Sequence, residues 1–128
     1  MIRIFIERSV TPDELIQPGI VTYKLRKAYL EYEEEGEEPS IYIREEISAE
    51  TARKLLSKKM IEILKTLSSE REYNISKLSE LLHRSPSNVH RDLAFLKKHK
   101  LLTFIDRGRE KIPILLLKRV VVEVRDGS

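Results

Sequence analysis

Residues 75–102 read ISKLSELLHRSPSNVHRDLAFLKKHKLL, and this stretch decides the fold. Its apolar spacing predicts a helix from Ser76 to about Leu82, with three leucines facing inward: Leu78, Leu81 and Leu82. Residues 83–84 form a turn. Ser85 is then the predicted N-cap of a second helix, and Pro86 occupies its first position. The stretch therefore predicts two helices joined by a tight turn.

The second helix is predicted to run from Pro86 to about His99 and to have one buried and one polar face. Val89, Leu93 and Leu96 recur at helical spacing and form the buried face. The opposite face carries small polar, amide and cationic side chains: Ser85, Ser87, Asn88 and Arg91. Asn pairs bidentately with adenine and Arg with guanine, and a helix N-terminus holds phosphate. This face is therefore suited to reading a DNA major groove, and His90 lies beside it.

A β-hairpin is predicted after the second helix. Strands near Leu101–Ile105 and Lys111–Leu116 flank a turn at residues 106–109, and a further strand is predicted near Arg119–Val124. Pro113 lies inside the second strand, which favours an edge or bulged strand. The turn region is basic, with Arg107, Arg109 and Lys111. Cations at such a tip are suited to a DNA backbone or minor groove.

The residues before this unit predict a β-α-β arrangement. Ile2, Ile4 and Ile6 alternate with other residues as in a strand. Thr11-Pro12 is typical of a helix start, an amphipathic helix is predicted over 20–35, and a second strand is predicted at 41–43. Two short helices follow, capped by Ser48 and Ser57, and a very short strand is predicted at Tyr73–Ile75.

Charge is divided unevenly along the chain. Residues 1–50 hold 12 Asp and Glu against 6 Lys and Arg, whereas residues 51–128 hold 9 against 18. An acidic first part and a basic second part indicate that only the second part meets a polyanion. Abundant Lys and Glu with few Asn and Gln are typical of a thermophile.

The order helix, helix, turn, helix, hairpin predicts an α+β protein: a winged helix-turn-helix with an N-terminal β-α-β extension. The extension takes residues 1–47 and the DNA-binding domain residues 48–128. The recognition helix, about Pro86–His99, enters the major groove, and the wing, about Leu101–Leu116, lies on the backbone or minor groove. The predicted DNA contacts are Ser76, Lys77, Arg84, Ser85, Ser87, Asn88, His90, Arg91, Arg107, Arg109 and Lys111.

The same residues carry a family resemblance. The stretches at 75–82 and 87–96 resemble winged-helix repressors of the multiple-antibiotic-resistance and arsenic-repressor types. Val89-His90-Arg91-Asp92 and the β-α-β extension are more closely similar to a group of archaeal transcriptional regulators. Lys100 stands where a glycine is usual before the first wing strand. The resemblance implies a sequence-specific regulator of transcription.

Other functional classes find little support in the sequence. The absence of Cys excludes disulfides and thiolate metal sites. No Ser/His/Asp arrangement or glycine-rich phosphate loop is found, so we predict neither an enzyme nor a cofactor. The Glu run at 31–38 lacks calcium-loop spacing and is interpreted as a solvated helix end.

Two functions remain open. The first is a cytoplasmic regulator that binds double-stranded DNA as a homodimer. Residues 1–47, where Tyr23 and Leu30 lie on a second helix face, either make the dimer contact or pack on the winged helix of the same chain. The alternative is a winged-helix docking module for protein or RNA in a larger complex. No apolar run reaches the length of a membrane span, so no membrane partner is expected.

Overall fold

A computed structural model describes residues 1–15 and 42–125, which contain five helices and two antiparallel sheets. In chain order the elements are β1 (Arg3–Ser9), α1 (Pro12–Leu15), β2 (Tyr42–Ile47), α2 (Ala49–Leu55), α3 (Lys58–Leu67), α4 (Ile75–Leu82), α5 (Pro86–Lys98), β3 (Leu102–Arg107), β4 (Glu110–Leu115) and β5 (Leu117–Glu123). The helix predicted over 20–35, with Tyr23 and Leu30, lies outside the described residues. The chain is a mixed α+β protein.

The helices begin where short polar side chains cap them. Ser48, Ser57 and Ser85 each accept a hydrogen bond from the backbone N–H three residues on, as predicted. At α1 the Thr11 hydroxyl accepts from the Glu14 N–H at 3.2 Å, and the Glu14 carboxylate accepts from the Thr11 N–H at 2.9 Å. This reciprocal pair is a capping box, which holds a helix of only four residues.

Two local predictions were wrong. The strand predicted at Tyr73–Ile75 is absent from the described residues, because Asn74 instead caps α4 and accepts from the Lys77 N–H at 2.7 Å. Leu81, predicted to face inward, is 46% exposed, and Ser79 is buried in its place. The core-facing side of α4 is formed by positions 75, 78, 79 and 82, which recur at helical spacing. Leu81 lies outside this stripe and faces solvent.

Helices α4 and α5 end in the same kind of turn. The N–H groups of Arg84 and Leu101 donate to carbonyls five residues back, Ser79 and Leu96. The residue before each donor is left-handed: His83 has φ 53° and Lys100 has φ 61°. This is the Schellman motif, which usually places glycine at that position. Lys100 therefore adopts the conformation that the missing glycine would have supplied.

Substitution of Lys100 by Gly is expected to raise the free energy of unfolding by about 0.5–1 kcal/mol, because a side chain in the left-handed region is strained. Little is lost with the side chain, since its Nζ lies 3.8 Å from Glu14 and is exposed. Urea denaturation measures the change. Lys98→Gly, inside the last turn of α5, is the control and should lower stability by about 1 kcal/mol. Equal losses in both variants would contradict the expectation.

The core lies between the helices and both sheets. Its fully buried side chains come from β1, α2, α3, α4, α5 and the start of β3: Ile6, Leu55, Met60, Ile63, Leu78, Val89, Leu93, Leu96, Leu101 and Leu102. The predicted inward stripe of α5 is confirmed, since Val89, Leu93 and Leu96 are inaccessible to solvent. This burial fixes which face of α5 points outward.

The sheets join the two ends of the chain. Strands β3 and β4 form the predicted hairpin, and Pro113 lies in β4, whose only strand partner among the described residues is β3. Strand β5 leaves this hairpin and pairs antiparallel with β1, giving the order β2-β1-β5. Strand pairing and the core residue Ile6 therefore cross the boundary predicted at residues 47 and 48.

Arg8 is the largest fully buried side chain in the described residues, at 1% exposure. Its guanidinium donates from Nη1 and Nη2 to both carboxylate oxygens of Glu14, at 2.7 and 3.0 Å, and from Nε to Glu45 at 2.6 Å. The hydrogen bond from Arg8 is the largest influence on Glu14 and lowers the pKa of that carboxyl to about 2. The cluster ties α1 to β1 and β2.

Stability is expected to fall by up to about 3 kcal/mol as pH drops from about 5 to about 2. The folded pKa of Glu14 is depressed, so its contribution is complete above the ordinary pKa near 4.5 and is lost as pH falls toward about 2. Urea midpoints at several pH values measure the loss. Glu14→Gln is the control and should lack this component. An identical pH profile for both proteins would contradict the assignment.

Candidate nucleic-acid interface

The outward face of α5 is polar and accessible. Ser87, Asn88, His90 and Arg91 are exposed, whereas Val89 between them is buried. The helix begins with Ser85 and Pro86, and its first turn holds no acidic residue. Ser85 Oγ lies 3.4 Å from Ser87 Oγ, so the N-terminus presents two hydroxyls, while the Asn88 N–H already donates to Ser85 Oγ at 3.3 Å and Pro86 has no N–H. This end of α5 is chemically suited to an anion and to hydrogen-bonding edges.

Arg84 turns inward, although it was predicted as a DNA contact. Its Nη2 donates to Asp92 Oδ2 at 2.7 Å, and its side chain is 14% exposed. The pair fastens the turn before α5 to the second turn of that helix. Asp92 is therefore engaged by Arg84 and not by Arg91, which has no ion-pair partner among the described residues. Arg84 positions α5, and Arg91 is left available.

The first turn of α4 adds two exposed polar side chains, Ser76 and Lys77. Lys77 Nζ lies 3.8 Å from Glu80, and both side chains are largely solvated, so this pair contributes little. Asn74, the cap of α4, also donates from Nδ2 to Glu110 Oε1 at 2.8 Å. That bond links the start of α4 to the start of β4 and so fixes the hairpin relative to the helices.

The hairpin ends in a two-residue turn, Gly108-Arg109, between the paired residues Arg107 and Glu110. Gly108 has φ +66°, as the first central residue of a type II′ turn requires. Arg107 Nη2 donates to Glu72 Oε1 at 3.0 Å across the surface. Arg109 and Lys111 are exposed and have no ion-pair partner in the described part of the chain. The tip therefore exposes the cations of Arg109 and Lys111 beside the carboxylates of Asp106 and Glu110.

The opposite end of α5 is packed differently. The His99 ring meets Phe95 edge-on, with centroids 4.7 Å apart, and Lys54 Nζ of α2 lies 4.5 Å above the Phe95 ring. Burial lowers the pKa of His99, and the positive charges of Lys98 and Lys54 lower it further. Phe95 is thus covered by its own chain.

Most predicted contacts lie on three elements of the structure: α4, α5 and the β3–β4 hairpin. Ser85, Ser87, Asn88, His90 and Arg91 lie at the start of α5, with Ser76 and Lys77 on α4 and three cations near the hairpin tip: Arg107, Arg109 and Lys111. The sequence did not indicate the roles of Asn74, Asp92 and Glu72, which bind Glu110, Arg84 and Arg107 and so help to position the helices and the hairpin. Asn74 carried a local signal as an N-cap, but its bond to Glu110 spans 36 residues. The ion pair between Arg107 and Glu72 joins residues 35 positions apart, so no local sequence pattern indicated it.

By its fold, the chain is an α+β protein in which helices α4 and α5 contact the β3–β4 hairpin. Residues 55–122 match the family HVO_A0114 and make up more than half of the 128 residues, so the chain belongs to the HVO_A0114 family. No curated protein matches it significantly. Over residues 1–15 and 42–125, no helix is long and apolar enough to cross a membrane.

Proposed function

We propose that this protein is a sequence-specific transcriptional regulator that binds double-stranded DNA through a winged helix-turn-helix. In this proposal α4 and α5 are the helix-turn-helix, and α5 is the recognition helix in the major groove. The β3–β4 hairpin is the wing and lies on the backbone or in the minor groove.

The observation that carries the proposal is the outward face of α5. Its first two turns expose Ser87, Asn88, His90 and Arg91, while Arg84 neutralises the one acidic residue of the helix, Asp92. Asn88 and Arg91 are three residues apart and so lie on one side of the helix. Amide and guanidinium groups at that spacing fit adjacent base edges in a major groove.

Charge supports the proposal independently. The family-matched residues 55–122 hold 15 Lys and Arg against 7 Asp and Glu. A surplus of eight positive charges on a domain of this size favours a polyanionic partner. Lys77, Arg109 and Lys111 are exposed and supply cations that could contact phosphate.

We further propose that the regulator acts as a homodimer on an inverted repeat. Readers of this class gain affinity by placing two recognition helices about one DNA turn apart, ~34 Å. A monomer would offer only one short helix to the bases.

A protein- or RNA-docking module is the competing function. A protein-docking module would present a contiguous apolar patch. The large apolar residues exposed in the described ranges include none on α5 and a single leucine, Leu81, on α4, whereas Ile2, Val122 and Val124 are exposed at the ends of β1 and β5. The two helices therefore offer no apolar docking face, and DNA binding is their better-supported function.

Selection of binding sites from a random duplex library, at stated salt, tests the function directly. Enrichment of one palindromic motif is the expected result, because two identical chains would read two half-sites. Recovery of unenriched sequence, or a preference for RNA over the duplex, would refute the proposal and favour the docking module.

Asn88→Ala and Arg91→Ala are each expected to reduce discrimination between the selected site and its single-base variants by about 1–3 kcal/mol, because each removes a bidentate base contact. Fluorescence anisotropy against a panel of sites measures the change. Lys77→Ala is the control: loss of a phosphate contact should weaken all sites about equally. Wild-type preference in both α5 variants would show that α5 is not in the groove.

A further inference from the structure

The outer face of the three-stranded sheet is a lattice of alternating charges. Glu7 on β1 is contacted by Arg119 of β5 at 3.0 Å and by Arg44 of β2 at 3.8 Å, and Arg44 also reaches Glu123 of β5 at 3.1 Å. Phe5 lies in the middle, with the Arg44 guanidinium 4.4 Å from its ring centre. Val121 of β5 is its direct cross-strand neighbour.

Strand β5 stands at the edge of this sheet. In the described residues its only strand partner is β1, so within this part of the chain the backbone N–H and C=O groups on its far side have no strand partner. The strand contains three consecutive valines at 120–122, and Val122 is 51% exposed. β-branched residues favour strand pairing, and such an edge is a template for another strand.

We propose that β5 pairs antiparallel with β5 of a second copy of this chain, with Val121 on the two-fold axis. The two sheets then form one continuous six-stranded sheet. In this register Val121 faces Val121 of the partner subunit, and Val120 faces the partner's Val122. Arg119 of each chain faces the partner's Glu123, on the same outer face as the lattice.

The charges select this register. Side chains directly opposite each other in an antiparallel pair lie on the same face of the sheet. The partner strand can therefore be moved only by two residues at a time, which moves the two-fold axis from one residue of β5 to the next. Centring on Val120 would oppose Arg119 to Val121, and centring on Val122 would oppose Val121 to Glu123. Of these three, only the pairing centred on Val121 joins opposite charges. It pairs Arg119 with the partner's Glu123 on both sides of the axis and so continues the alternating charges of the outer face into the second sheet.

The other edge strand, β2, is a weaker candidate. Self-pairing centred on Glu45 would join Arg44 to Glu46 twice, but it places two glutamates opposite each other on the axis, and pairing centred on Arg44 places two arginines there. Like charges directly opposite destabilise a pair. The irregularity between Glu7 and Arg8 in the β1–β5 register affects only the start of β5, before Arg119.

This interface deepens the proposed homodimer by naming its surface, and it replaces residues 1–47 as the contact. It rests on the proposed dimer, but it is tested without DNA. Failure of the pairing and failure of DNA binding are therefore separate results.

Charge exchange between two variants tests the register. Arg119→Glu gives a β5 edge with two acidic positions, and Glu123→Arg gives one with two basic positions. Each alone should dimerise about 10-fold more weakly than wild type, because two attractive cross-strand pairs become repulsive. An equimolar mixture should recover the wild-type dimer, since both cross-pairs again join opposite charges. Sedimentation equilibrium measures all three, with circular dichroism confirming folding.

Cross-linking tests the axis in a background of native charges. The chain has no cysteine, so Val121→Cys introduces the only thiol. A short bifunctional maleimide should join two such chains, whereas Tyr42→Cys on β2 should stay uncoupled. A monomeric wild type at tens of micromolar, a mixture that stays monomeric, or cross-linking at Tyr42→Cys in place of Val121→Cys would each overturn the proposal.

Discussion

Raising the salt from about 50 to about 200 mM is expected to weaken binding of this protein to duplex DNA by about 10²- to 10⁵-fold. The cause is release of counterions from each phosphate that a Lys or Arg neutralises. The basic part of the chain, residues 51–128, carries 18 Lys and Arg against 9 Asp and Glu. Five to nine phosphate contacts would give a slope of log affinity against log salt of roughly −4 to −8. Fluorescence anisotropy across a salt series measures it.

Two double variants locate these contacts. Arg107→Ala with Arg109→Ala should lower the slope by about 1–2 and weaken all sequences alike, because both side chains lie at the hairpin tip. Arg53→Ala with Lys65→Ala removes the same charge from exposed positions on α2 and α3, away from the proposed DNA and dimer contacts, and should leave the slope unchanged. A flat salt dependence, or equal effects of the two variants, would contradict a phosphate-tracking hairpin.

Arg8→Ala is expected to lower the free energy of unfolding by about 3–5 kcal/mol, which is a large share of the stability of a domain of this size. The guanidinium is fully buried and bonded to Glu14 and Glu45. Its removal leaves the Glu14 carboxylate without its main partner inside the protein and opens a cavity. Chemical denaturation monitored by circular dichroism measures the loss.

Arg3→Ala is the matched control, since Arg3 is in the same strand and pairs with Glu46 at 2.9 Å on the exposed face. It should cost less than about 1 kcal/mol. Arg8→Met combined with Glu14→Leu removes both charges and fills the space, so it should recover much of the loss. Similar small effects of Arg8→Ala and Arg3→Ala would show that the cluster does not stabilise the fold.

Helix limits were predicted well because their causes are local. Ser48, Ser57 and Ser85 cap helices through bonds to an N–H three residues away, and Pro86 fixes the first position of α5. The two local errors are also instructive. A short strand was predicted at Tyr73–Ile75, but Asn74 instead caps the helix that begins at Ile75. Leu81 was assigned inward by its hydrophobicity, whereas the helical period placed Ser79 there.

The candidate interface was predictable as a set of residues but not as an arrangement. Polar and basic side chains opposite an apolar stripe identified Ser87, Asn88 and Arg91, and the stripe is buried as expected. The role of Arg84 was not predictable. Its partner Asp92 lies eight residues away on the next helix, and only the angle at the turn decides whether the guanidinium points outward or back onto α5.

The sequence by itself determined the order of the described elements, the caps and turns of the helices, and the polar face of α5, because each depends on residues within one or two turns. The tertiary structure alone decided the partner of β5, which pairs with β1 across more than a hundred residues. It also decided that Arg8, unlike Arg3 in the same strand, is buried. Which strands pair and which charged side chains are buried depends on hydrogen-bond partners far away in the sequence, so local sequence patterns cannot indicate them.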